Sequence, residues 1–335
     1  VTSIQLSAPS VDNGRGKAGN TSNAQIATML LIMVLLWGLS WPAMKLLLDY
    51  VPPLWGATLR FATAAVCLFG FLAARGQLVL PKRADWPIVA SVALLQMALF
   101  TGLGMIAVQY TGAGRASLLA YTTPLWSVLA AWLLFHQRPR GMQAVALAIG
   151  LVGIGIVCAP GEIDWSKHMV LIGHGFLLLA AVGWSIVILH VRRHSWTSSP
   201  LQLAPWQMLF AALLLMVLAW QLEEPLSIIR WTPMSIGLLL FYGPIATSIC
   251  FVISSEVGRR VQPFTMANVT LGVPIVGVIA SAIFLGETVS LGTAIGMVLI
   301  VSSMCIAGWA VKLKADHNRD TLKRNQAGRS NWPSP

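Results

Sequence analysis

The sequence predicts an all-α membrane protein, with ten transmembrane helices arranged as two inverted five-helix repeats. Three observations carry this prediction. Apolar residues make up 56% of the chain and charged ones 10%, against about 25% charged in soluble domains, and the apolar residues fall in ten blocks. Basic residues divide unequally between the two sets of connecting loops. Landmarks recur 147 to 150 positions apart.

The blocks cover 26–47, 54–74, 87–109, 113–135, 141–160, 170–191, 203–222, 234–255, 262–285 and 290–311. Each approaches the ~20 apolar residues that cross roughly 30 Å of hydrocarbon. Their continuity excludes a barrel, whose strands alternate over about ten residues. Residues 26–160 form the first predicted repeat and 170–311 the second. Residues 1–25, rich in Ser, Asn and Gly, and the basic stretch 312–335 bury too little apolar surface to offset ordering entropy. Both are predicted disordered tails. The first apolar run is full length, so no cleavable signal peptide is expected. The short loops leave no room for a soluble domain.

With the amino terminus inside, the cytoplasmic tails and loops hold 17 Lys and Arg residues. The opposite side holds four: Lys45, Arg115, Lys167 and Arg230. The positive-inside rule then puts both termini in the cytoplasm, with an even number of spans. The net charge of +11 is thereby an orientation signal, and no nucleic-acid partner is expected. The four cysteines lie within predicted spans without a CxxC pair, which fits small apolar packing. His190 and His194 have metal-like i,i+4 spacing but no third ligand. Neither a metal nor a cofactor is expected.

The repeat is legible in single residues. Trp37, Pro53 and Arg60 plus 147 give Trp184, Pro200 and Gln207, and Pro124 plus 150 gives Pro274. Five spans per unit is odd, so the second unit enters from the opposite face. Inverted repeats of this kind recur in secondary transporters.

Two features inside the spans ask for chemistry. Pro124 and Pro274 fall near mid-span, each freeing the carbonyl four residues earlier, at Ala120 and Thr270. Tyr121, Thr122 and Thr123 precede one proline, and Asn268 and Thr270 the other. A freed carbonyl in lipid costs several kcal/mol, so the pair reads as the lining of a midplane cavity. Ordinary kinks, with hydroxyls bonded back to their own helices, remain the other reading. The second feature is Arg60, the one charge well inside a span, about 10 Å from its start at 1.5 Å per residue. Intramembrane charges are costly and default to function. Its guanidinium can hold a carboxylate by two hydrogen bonds. Snorkelling, or a structural pair with Glu287, is the alternative.

Of the tryptophans, Trp55, Trp86, Trp165, Trp196, Trp206, Trp220, Trp231 and Trp309 fall near span ends and read as an interfacial belt. Trp37, Trp41, Trp126 and Trp184 lie deeper, where indole N–H groups need partners. With Tyr121 and Tyr242 they are candidates for an aromatic-lined cavity, or for core packing. The glycine spacings Gly150–Gly153 and Gly292–Gly296 fit close helix contacts, within the chain or across a homodimer. No Asp or Glu falls mid-span, which leaves facilitation and proton-coupled antiport both open.

The pattern resembles the ten-span EamA-type transporters of the drug/metabolite transporter superfamily. The resemblance spans about 27–310 and rests on "LLWGLSWPAMK" (35–45), "LRFATAA" (59–65), "GRASLLAYTTPLWSVLAAWLLF" (114–135) and "IASAIFLGE" (279–287). Span nine ends in Gly286-Glu287, while span four ends in His136-Gln137. The resemblance implies a bacterial inner-membrane exporter of small metabolites such as amino acids, working by alternating access between inverted halves. Efflux of multiple drugs or cationic compounds is the alternative within that class. A membrane-embedded enzyme would need paired intramembrane aspartates, or a serine with a base, and neither is apparent. A scaffold or receptor would need larger loops.

Overall fold

The computed structural model describes residues 23–139, 141–159, 164–258, 260–261 and 263–309. Both predicted tails lie outside these, apart from residues 23–25. Among the described residues every regular element is helical. The helices are α1 Asn23–Leu47, α2 Pro53–Ala74, α3 Arg83–Tyr110, α4 Ala113–Phe135, α5 Met142–Val157, α6 His168–Arg193, α7 Pro200–Leu222, α8 Pro233–Val257, α9 Pro263–Thr270 continued by Gly272–Leu285, and α10 Leu291–Trp309. Eight are long and apolar enough to cross a membrane. Met142–Val157 and Gly272–Leu285 are apolar but shorter. Leu31, Val66, Leu133, Ile283 and Leu291 stand exposed on the outer faces, where lipid rather than water suits them. The chain is a multi-pass membrane protein.

Local chemistry explains where helices start. Proline opens α2, α7 and α8, where its missing N–H costs nothing. Ser199 with Gln202 and Thr232 with Ser235 form reciprocal capping boxes on α7 and α8. Glu223, just past α7, instead caps α2: its carboxylate accepts the N–H of Leu54 at 2.7 Å and of Trp55 at 3.0 Å. Glu287, just past α9, caps α4 through Ala113 at 2.7 Å and Gly114 at 3.1 Å. Glu287 is thus committed to backbone and does not pair with Arg60.

Two helices are broken and two are widened. α4 turns at Tyr121 and Thr122, and α9 at Leu271, each just before its proline. Residues Val92–Leu99 of α3 and Phe241–Ile249 of α8 wind as π-helix, a form frequent at functional sites. Pro244 accounts for the second by removing a ladder donor; there the Thr247 hydroxyl donates to the Tyr242 carbonyl at 2.8 Å.

The packing exchanges elements between the two parts of the chain. α1 lies against Gly272–Leu285 of α9, and α6 against Thr123–Phe135 of α4. α3 packs on α6 and α8 on α1, while α2 runs along α7. α5 and α10 meet at glycines. A Cβ on Gly153 would sit 3.1 Å from the Gly296 carbonyl oxygen, and one on Gly296 3.0 Å from that of Gly153. These glycines serve packing within the chain.

At one end of the bundle, besides the caps made by Glu223 and Glu287, Lys45 donates to the carbonyls of Val108 and Thr111, and Arg230 to the Asp49 carbonyl. Trp55 belongs to this end as a buried residue, its indole donating to the Glu224 carbonyl at 2.9 Å. It is therefore not a belt residue. At the other end, buried Asp85 accepts from Thr197 and lies 3.0 Å from His194 Nε2, and the Trp206 indole donates to the Val79 carbonyl at 2.8 Å.

Candidate functional site

A cavity of about 350 Å³ lies among α1, α2, α3, α4, α6 and α8, with α9 and α10 adding Met266, Thr270 and Met304. α2 brings Arg60 into it, and the π segment of α8 brings Tyr242 and Thr247. Arg60 Nε donates to the Thr247 hydroxyl at 2.8 Å and Nη1 to the Tyr242 hydroxyl at 2.7 Å. The guanidinium carbon also stands 4.1 Å from the centroid of the Tyr242 ring, a cation–π stack. The Tyr242 hydroxyl donates onward to the Met44 sulfur at 3.1 Å. Close helix approach makes this geometry possible. A Cβ on Gly243 would meet the Arg60 carbonyl oxygen at 2.9 Å. Arg60 is therefore held between two helices, and no Asp or Glu among the described residues pairs with it.

Aromatic side chains form a continuous edge-to-face series along the lining. Trp41 meets Tyr121 with centroids 6.5 Å apart, Tyr121 meets Trp184 at 5.9 Å, and Trp184 meets Phe100 at 4.7 Å. The series draws one ring each from α1, α4, α6 and α3. The break in α4 carries Tyr121 into it.

Of the residues singled out from the sequence, the lining includes Trp37, Trp41, Arg60, Tyr121, Pro124, Trp184, Tyr242 and Thr270. Thr122 and Trp126 lie elsewhere. Thr122 is fully buried, donating to the Leu119 carbonyl at 2.6 Å and accepting the Trp126 indole N–H at 3.0 Å. Pro274 is buried in α9, its carbonyl 3.4 Å from the Ser117 hydroxyl. Asn268 lies on α9, and its side chain falls outside the described residues. The carbonyl freed by Pro124, that of Ala120, accepts the Thr123 hydroxyl at 2.8 Å. Local back-bonding and cavity lining thus coexist at this break: Thr123 satisfies the backbone and also lines the hollow.

Residues not singled out complete the lining, among them Gln96, Phe100, Thr247 and Ser254. Gln96 was open to notice as an amide within an apolar run. Thr247 was not, since a hydroxyl in a span commonly bonds its own helix. Ser254 also lines a second hollow of about 610 Å³, with Arg75, Gln77, Ser199, Gln202 and Glu256. Ser254 is thus common to the central cavity and to the hollow at the end where α2 and α8 stop and α7 starts. His190 and His194 lie away from it, on Ser91 and Asp85.

The EamA-like transporter family model matches residues 25–159 and again residues 171–309. The transporter YvbV of Bacillus subtilis is 27% identical over 84% of this chain and 90% of its own length. A probable amino-acid metabolite efflux pump of Salmonella typhimurium is 26% identical over 83% of this chain and 93% of its own. A solved crystal structure shares the fold with a TM-score of 0.57 and 20% identity, over 85% of this chain and 97% of the other. With two matches that together span most of its length, the chain belongs to the EamA-like transporter family.

Proposed function

We propose that this protein is a secondary transporter of small metabolites in a bacterial inner membrane. Ten spans in two inverted halves would alternate access to the central cavity. The observation that carries this reading is the cavity itself, whose lining combines Arg60, Trp41 and Tyr121 from the first family match with Trp184, Tyr242 and Thr247 from the second. A site built from both halves changes its exposure when one half rocks on the other. The exchanged packing of α1 with α9 and α6 with α4 supports two inverted units.

The cavity shares Ser254 with the hollow at the Arg75 end, while the Glu223 end is tied by carboxylate-to-backbone bonds. The loop basic residues favour a cytoplasmic Arg75 end and cytoplasmic termini. An exporter loads from that side, and access through the Arg75 end is part of this proposal. Amino acids are the first substrates to test, since the name of the Salmonella relative includes them.

The test is counterflow in proteoliposomes with a panel of amino acids and organic acids. Exchange above protein-free vesicles is expected for at least one member and is lost in Arg60→Gln. Reporter fusions at Lys312 and in the loop 160–168 should report opposite faces. The same face for both would overturn the inverted arrangement.

A further inference from the structure

We infer that the central cavity takes an organic monoanion with a flat apolar body, in preference to a zwitterion or a cation. The inference rests on the transporter reading and narrows it. It departs from an amino acid as the best-fitting ligand.

Charge is the first argument. Arg60 is the one charged side chain in the lining, and none of the described lining residues is Asp or Glu. None of the described acids lines the cavity, and most are engaged elsewhere. Glu223 and Glu287 cap helices at the far end, Asp85 is bound to Thr197 and His194, and Asp164 to Ser166 and Lys167. Glu256 stands in the adjoining hollow, 3.8 Å from Arg260 and alongside Arg75. An ammonium entering the cavity would therefore meet a fixed cation without a counter-charge. An anion meets an attraction strengthened by low-dielectric walls.

The hydrogen-bond inventory points the same way. Two N–H groups of Arg60 are committed, to Thr247 and Tyr242, and they fix the guanidinium plane. The Nη2 group and the second hydrogen of Nη1 have no partner among the described residues, and neither do the indole N–H groups of Trp37, Trp41 and Trp184. Guanidinium and indole donate only. A cavity with surplus donors and no carboxylate acceptor is complementary to a group that only accepts, such as a carboxylate. The series Trp41, Tyr121, Trp184 and Phe100 supplies apolar edges and faces for a flat body.

Three ligands share one ring and tether and differ in charge: 3-phenylpropionate, phenylalanine and phenethylamine. Binding to purified full-length protein in nanodiscs would be measured by titration calorimetry, and flux of the same three in proteoliposomes. The expected order is 3-phenylpropionate about tenfold tighter than phenylalanine, because both keep the carboxylate and only phenylalanine brings an ammonium near Arg60, with phenethylamine weakest. Arg60→Gln, checked for a monodisperse folded state, should collapse the order. If that variant does not fold, the wild-type order decides. Phenylalanine or phenethylamine binding as tightly as 3-phenylpropionate overturns the inference, and flux of either leaves the transporter reading standing. Binding in the expected order without flux of any ligand supports the inference and removes the transporter reading. Absence of binding by all three overturns the inference.

Discussion

Glu223 spans two backbone donors of another helix. Its two carboxylate oxygens accept the N–H of Leu54 and of Trp55 at 2.7 and 3.0 Å. This ties the end of α7 to the start of α2 and so joins the two family-matched parts of the chain at the end away from the Arg75 hollow. Burial pushes the Glu223 carboxyl above its ordinary value, and the two backbone bonds only partly pull it back. The neutral form is thus favoured more in the folded protein than in the unfolded one.

The sign of the pH effect follows. An acid whose folded pKa is raised contributes stability that is full below its unfolded value and is lost as pH rises through the folded value. Wild type should therefore gain melting temperature relative to Glu223→Gln as pH falls from 7 toward 4.5. Thermal unfolding of both proteins across that range checks it. A difference that is flat or grows with pH contradicts the raised value.

His136 and Gly286 end α4 and α9 in the left-handed conformation, at φ 54° and 66°. They lie 150 residues apart, at matched points of the repeat. The following N–H groups, of Gln137 and Glu287, reach back to the carbonyls of Ala131 and Ser281 at 3.3 and 3.4 Å. Glycine suits this conformation and histidine is strained in it. His136→Gly should stabilise the protein by about 0.5–1 kcal/mol, and Gly286→Ala should destabilise it by a similar or larger amount. Melting temperatures of the two variants should move in opposite directions.

Cysteine labelling separates neighbours in α4. In a background with Cys67, Cys158, Cys250 and Cys305 replaced, a cysteine at Tyr121 should react with a small polar thiol reagent, because Tyr121 lines the cavity. A cysteine at Thr122 should not, because Thr122 is fully buried. Equal reactivity at both would mean that the α4 break is not held in this rotation. A ligand of the cavity should slow labelling at 121.

Gly243 lets α8 approach α2. A methyl group there would meet the Arg60 carbonyl oxygen and the Thr63 side chain. Gly243→Ala should cost about 1–3 kcal/mol as an overpacked contact. It should also weaken ligand binding by moving Tyr242 and Thr247 away from Arg60. Intact binding with lowered stability would separate the packing role from the site.

The sequence made the spans legible because lipid demands continuous apolar runs, and the two breaks because proline cannot complete the ladder. Arg60 was visible as a charge where charges are rare. The rotation of α4 was not: adjacent residues on a helix differ by about 100°, so Tyr121 faces the cavity and Thr122 the Trp126 indole. The π segment of α3 has no proline inside it, and nothing in "VALLQMAL" announces the widening. The partners of Glu223 were invisible because they are backbone groups far away in sequence.

Those backbone partners shape what mutation can do. Peptide N–H is common to every residue except proline. The residues at 54, 55, 113 and 114 can drift in side chain, within the space available, without cutting the bonds to Glu223 and Glu287. Each tie has one vulnerable side, the carboxylate. Covariation between the bonded positions is therefore not expected: the bonds constrain the two glutamates, while packing alone constrains their partners, Leu54, Trp55 and Ala113 being buried. A mutational scan would read the fastening at this end in two acidic positions, while losses at the helix starts they hold would report packing and not the bonds.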